Sequence, residues 1–345
     1  MALGFEDEFT TFLHDYILGQ KVADAIGKKS PGLALFMSTG DTRTDNGKAT
    51  PRTYGQMITG GTKVKRHVRY ARGTAKGSYS GWDILETDPN RKYDAAEFEW
   101  YKYYTTLPWS RDDLLAYQGQ SSEVDKMTAD VEGQVADMID MLATGIYNNA
   151  AARTGYQLKG LYGLRELFAG DIDWGGISQS DHTWWLPKID STGYTAANQV
   201  DPTHANYLPT LIDDRRRAIF AYAGIDPEII LTTGTLYDRL HDIIQATQQN
   251  VNVTKGIYGF DAIKWRGMEV YKDAYCPAGH MMFLTPRGNG SQRSMALLGR
   301  AGAFFELGPW IQSFNQEGQV RRLLCHCSFY CDNPREQAAL TGLAE

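Results

Sequence analysis

Between Asn46 and Trp82 the chain carries eight bases and not one Asp or Glu. They are Lys48, Arg52, Lys63, Lys65, Arg66, Arg69, Arg72 and Lys76. A stretch with so much unbalanced charge repels itself and cannot collapse alone, so it must lie against something acidic or stay in water. Within it, Lys63-Val64-Lys65-Arg66-His67-Val68-Arg69-Tyr70 alternates in part as a strand does, with Gly60-Gly61 and the glycines from Gly73 to Gly81 as turns on either side. The pattern predicts a long basic β-hairpin, wet on both faces in an isolated monomer. Two strands alone are marginally stable in water. The hairpin needs a partner.

The segment before it is equally dependent. Residues 1–45 hold apolar positions without sustained period, interrupted at Ser30-Pro31-Gly32, and Thr39 to Thr53 is almost wholly polar, Gly or Pro. Too little apolar surface is available there to offset the entropy of ordering. An arm that orders against another surface is expected.

The strongest helix signal runs from about Ser122 to Asn148. Val124, Met127, Val131, Val135, Met138 and Leu142 recur at spacings of three and four, which draws one apolar stripe. Ser122 with Asp125 reads as a capping box, and Gly145 and Asn148-Asn149 as the end. The other face is acidic, with Glu123, Asp125, Asp130, Glu132, Asp137 and Asp140 against the single base Lys126. Further on, a helix is expected over Leu208 to Tyr222, a strand over Glu228 to Thr232, and a third helix through Leu236, Leu240, Ile243 and Thr247. Strands follow at Ile263 and Trp265, after Gly267, and at Met281 to Leu284. Leu323, Cys325, Cys327, Phe329 and Cys331 alternate with Arg322, Leu324, His326, Ser328 and Tyr330, the pattern of a half-buried strand. Helices and strands in no βαβ rhythm give an α+β fold class.

Charge suggests how these parts meet. Eight bases without an acid on the hairpin face six acids with one base on the long helix. If they belong to neighbouring copies, opposite potentials steer and register the contact. The candidate contact residues are Lys63, Lys65, Arg66, Arg69, Arg72 and Lys76 with Glu123, Asp130, Glu132, Asp137 and Asp140. A plain solvated surface is the competing reading, and a nucleic-acid arm a weaker one. The net charge of −6 and pI near 5.7 argue against a general nucleic-acid binder.

Enzyme signatures are mostly missing. There is no Walker loop, no strand–GxGxxG–helix unit, no HExxH and no nucleophile elbow. Cys325-His326-Cys327 with Cys331 groups soft ligands, but on a strand His326 points away from the sulfurs, so buried filler is the preferred reading and no metal or cofactor is expected. Asp171, Asp173 and Asp181-His182 beside Trp174 and Trp184-Trp185 resemble a sugar-hydrolase cleft, yet such residues in a Gly-rich loop serve more often as turns and core anchors. No run approaches the roughly 18 apolar residues needed to span a bilayer, and the acidic start is unlike a signal peptide, so synthesis and residence in a cytoplasm are expected.

The order of parts has a parallel. A polar arm, a basic hairpin, an acidic helix and an α+β region closing on a long strand resemble the major capsid proteins of tailed phages, with their Hong Kong 97 type fold. Asp137 to Asn149 (DMIDMLATGIYNN) is similar to the end of that family's spine helix. Gly160 to Arg165 and Asp171 to Asp190 resemble its GL-rich turn, GGI-S element and paired aromatics. Asp226 to Gln249, Trp265 to Asp273 with the following Cys276-Pro277-Ala278-Gly279, and Asn333 to Gly342 resemble its later strands, helix and closing segment.

The resemblance implies an N-terminal arm over 1–45 and an E-loop hairpin with flanks over 46–105. It further implies a peripheral domain with the spine helix over 106–155, an axial domain over 156–295, and C-terminal strands over 296–345. It implies self-association into hexamers and pentamers of an icosahedral virion shell around double-stranded DNA, without sequence-specific binding, membrane or catalysis. A separate scaffolding protein, a portal and a decoration protein are the implied partners, with assembly in the cytoplasm of a bacterial host. An encapsulin nanocompartment is the alternative within the same fold. A carbohydrate-active or metal-dependent enzyme using Asp171, Asp173 and His182 is the alternative outside it.

Overall fold

The computed structural model describes residues 30–37, 44–45, 48–49, 56–58, 61–85, 87, 89–111, 120–147, 157–158, 173–247, 253–255, 260–286, 294–300, 304–312 and 317–345. Two sheets organise them. The first has seven strands in the order Val253–Lys255, Asp261–Trp265, Met268–Lys272, Ile229–Thr232, Met281–Leu284, Ala338–Leu340 and Lys188–Asp190. Ile229–Thr232 runs parallel to Met268–Lys272 and antiparallel to Met281–Leu284, and all four of its residues are buried, as a central strand covered on both faces must be. Helices Leu208–Ala223 and Gly234–Thr247 close one face through Leu211, Ile212, Leu240 and Ile243. The first of these ends at Gly224 with φ 73°, a left-handed stop that a side chain disfavours.

The second sheet is built around one strand, Gly318–Cys331. It pairs with Met295–Arg300, Phe305–Leu307, Ile311–Gln312 and, over ten residues, with Tyr101–Ser110. Its inner side alternates as the sequence predicts from Leu323 to Cys327, then both sides become buried from Ser328 to Cys331. The change marks where a second layer lies across the sheet.

The long helix spans Gln120–Tyr147 and packs Val131, Val135, Met138, Ile139, Leu142 and Ile146 into the main core. Its start precedes the expected cap, so Ser122 lies inside its first turn. Gly145 does not end it. A Cβ there would stand 2.8 Å from the Tyr103 hydroxyl, which accepts the Leu158 N–H at 2.7 Å. The glycine lets helix and strand approach closely enough to seat that hydroxyl.

The N-terminal arm departs most from expectation. Pro31–Met37 is a seven-residue helix with every residue buried. Ser30 caps it, accepting the Leu33 N–H at 3.2 Å, and Pro31 occupies the first helical position, where a missing N–H costs nothing. The apparent interruption at Ser30-Pro31-Gly32 is a helix start. The rest of residues 1–45, apart from Thr44–Asp45, lies outside the described residues.

Candidate assembly surfaces

The basic hairpin pairs Lys63–Arg69 with Tyr93–Glu99, well beyond Trp82, with Lys63 opposite Glu99 and Arg69 opposite Tyr93. Its return strand therefore brings the acids Asp94, Glu97 and Glu99. Lys65 Nζ stands 2.6 Å from Glu97 and Lys63 Nζ 3.3 Å from it. These two ammonium groups, Lys65 foremost, hold the Glu97 carboxyl below its ordinary value. The pairs are exposed and contribute little to stability.

The expectation of a hairpin wet on both faces is corrected. Strand alternation gives its base one inner face, on which Val64, Ala96 and Phe98 are buried. Ala96 meets Gly175, whose added Cβ would lie 3.0 Å from the alanine methyl and 3.2 Å from the Phe98 ring. The Glu97 N–H donates to the Gly175 carbonyl at 2.8 Å. Gly175 and Gly176 have φ of 61° and 75°, so the turn between Asp173–Trp174 and Ile177–Ser178 can present that carbonyl. Tyr70 stacks on Trp184 at 5.1 Å. Arg66 lies over the Tyr330 ring at 4.2 Å, with its Nε 3.4 Å from Asp332. Burial raises the Asp332 pKa to about 6 despite that neighbour. The two charged groups are close without forming a hydrogen bond, so attraction does not repay desolvation.

Beyond Tyr70 the hairpin leaves the body. Trp82 and Ile84 are 100% exposed, with Tyr79 and Leu85 mostly so. Arg69, Arg72 and Lys76 flank this tip and have no carboxylate partner among the described residues. Large apolar groups held in water make this tip a candidate contact site.

The candidate charge partners are only partly placed. Asp137 and Asp140 are exposed on the long helix, and Asp140 accepts the Tyr275 hydroxyl at 2.5 Å. The side chains of Glu123, Asp130 and Glu132 lie outside the described residues. Sequence reasoning missed Glu97 and Asp332 as partners of the bases. Tyr93–Glu99 lies within the 46–105 span that the resemblance gives the hairpin, but outside the basic stretch ending at Trp82 from which the charge pairing was read.

Among the other constellations, the two tryptophans anchor the core. Trp174 and Trp185 are buried, with Trp185 Nε1 donating to the Trp174 carbonyl at 2.9 Å and Trp174 Nε1 to the Cys331 carbonyl at 3.4 Å. Asp173 lines a gap of about 330 Å3 with Glu97 and Glu99, where the hairpin crosses the glycine turn. Asp171 lies outside the described residues, and Asp181 and His182 do not reach that gap. Cys325, Cys327 and Cys331 are fully buried free thiols, and burial pushes Cys325 and Cys331 well above the ordinary thiol value.

No protein-family model matches the chain, and no curated protein does. Solved structures do. One is the capsid asymmetric unit of cyanophage A-1(L), with TM-score 0.56 and 14% identity over 90% of this chain and 98% of that one. Another is the procapsid of satellite phage P4 including its size determination (Sid) protein, with TM-score 0.50 and 11% identity over 99% and 98%. A third is the holo-SrpI encapsulin complex of Synechococcus elongatus PCC 7942, with TM-score 0.51 and 9% identity over 84% and 85%. The chain has the Hong Kong 97 type α+β fold of phage capsid proteins. It is a shell-protein fold, shared by phage heads and by encapsulin.

Proposed function

We propose that this chain is the major capsid protein of a tailed phage, assembling as hexamers and pentamers of an icosahedral head around double-stranded DNA. The observation that carries the reading is the hairpin tip, where Trp82 and Ile84 stand bare on a fold shared with capsid subunits. A monomer gains nothing by holding these groups in water, whereas a neighbouring copy that covers them recovers their burial energy. Heterologous contacts of this kind close into rings when the rotation allows. The activity is assembly rather than catalysis. A scaffolding protein, a portal and a decoration protein are the partners such a head uses, and the bacterial cytoplasm is where it forms.

Electron microscopy of the overexpressed protein, alone and with a candidate scaffold, tests this. Closed particles with five- and six-fold capsomers are expected, and a protein that stays monomeric at high concentration overturns it. The encapsulin likeness supports a second reading, a nanocompartment. Uniform small particles that close without scaffold and enclose a protein cargo favour that one.

A further inference from the structure

The helix Pro31–Met37 has no solvent-facing side. Leu33, Leu35, Phe36 and Met37 all enter the main core, with Phe36 edge-on to Phe329 at 5.1 Å. The same core takes in Ile229, Leu231, Tyr271 and Met282 of the seven-stranded sheet and Ile146 and Tyr147 at the end of the long helix. The short helix thus fills the space where the long helix meets both sheets, packed on Met295–Arg300 of the second and reaching Leu231 of the first. Seven residues cannot hold a helix alone in water, so its structure is borrowed from that groove.

One carboxylate ties the three parts together. Asp273 is 1% exposed, and its Oδ2 accepts the Ser30 hydroxyl at 2.7 Å, the Gly32 N–H at 2.9 Å and the Tyr147 hydroxyl at 3.0 Å. Its Oδ1 accepts the Tyr275 N–H at 3.0 Å. A Cβ at Gly32 would stand 2.5 Å from the Tyr147 hydroxyl and 2.9 Å from Asp273 Oδ2, so a larger residue forces those two groups to shift. If the helix withdraws, the carboxylate loses two donors in a dry interior and must draw water to the junction it shares with Tyr147.

We propose that Ser30–Met37 is a lock, a locally releasable plug whose seating on Asp273 fixes the end of the long helix against the seven-stranded sheet. Withdrawal loosens that junction while the cluster formed by Leu208–Ala223 and Gly234–Thr247 stays folded.

Hydrogen exchange on the full chain tests it, comparing the parent with Gly32→Ala and with the milder Ser30→Ala. Both variants should exchange about tenfold or more faster over 31–37, over 140–147 and over 268–273, with 236–247 unchanged, Gly32→Ala more strongly. Loosening confined to 31–37 overturns the coupling. Acceleration everywhere at once in both variants overturns the local release, and no change in either overturns the seat itself.

Discussion

Arg66 of the hairpin and Asp332 at the end of the strand Gly318–Cys331 face each other at 3.4 Å across the seat of the hairpin, both largely buried. The carboxyl pKa of about 6 shows that burial outweighs the guanidinium there. A carboxyl whose folded pKa exceeds its unfolded value near 3.8 adds stability below that lower value and loses it as pH rises through 6.

At neutral pH the charge is therefore a cost. Asp332→Asn should stabilise the subunit at pH 8 by roughly 2 kcal/mol, allowing for its remaining exposure, and by almost nothing at pH 3. Urea unfolding at the two pH values reads the difference. A variant equally changed at both shows that the carboxyl titrates normally.

On the proposed shell reading the tip is the assembly contact. Replacing Trp82 and Ile84 together by Ser should leave the melting temperature within a degree or two, because neither side chain touches its own body, and should abolish closed particles. Particle yield by sedimentation is the measurement. Normal yield removes the tip from the contact.

Charge reversal separates two kinds of base. Arg69→Glu, Arg72→Glu and Lys76→Glu in one chain should slow assembly several-fold and flatten its dependence on salt, as expected where steering is electrostatic. Lys63→Glu with Lys65→Glu acts differently, since Glu97 is their partner on the return strand. It should loosen the hairpin itself, seen as faster proteolysis between Tyr70 and Lys92. Identical behaviour of the two variants contradicts the division.

Gly175→Ala should free the hairpin base at a cost of roughly 1–3 kcal/mol, since it adds strain at φ 61° and a clash with Ala96. Quenching of Trp184 fluorescence reports whether Tyr70 still covers it. Unchanged quenching and stability show that the turn can yield.

Periodicity made the regular elements readable. Leu208–Ala223 and the strand Gly318–Cys331 fall where three-four spacing or alternation puts them, because burial on one face writes its period into the chain. Met281–Leu284, buried on both faces, has no such period and is marked only by the Pro277-Ala278-Gly279 turn before it. What was illegible depends on tertiary contact. Pro31–Met37 is apolar all round and too short to show a stripe, so its helix follows from a groove made by residues more than a hundred positions away. Gly145 reads as a stop, whereas it serves the Tyr103 hydroxyl from another element. The hairpin's inner face was invisible because two of its three buried residues, Ala96 and Phe98, sit outside the basic stretch that announced it.

The four thiols carry a practical consequence. Cys276, Cys325, Cys327 and Cys331 are buried, the last three completely, so the folded chain presents no exposed thiol to an oxidant. A cysteine reagent that does label the protein has found a subunit that has come open, and the sulfurs serve as a gauge of intactness.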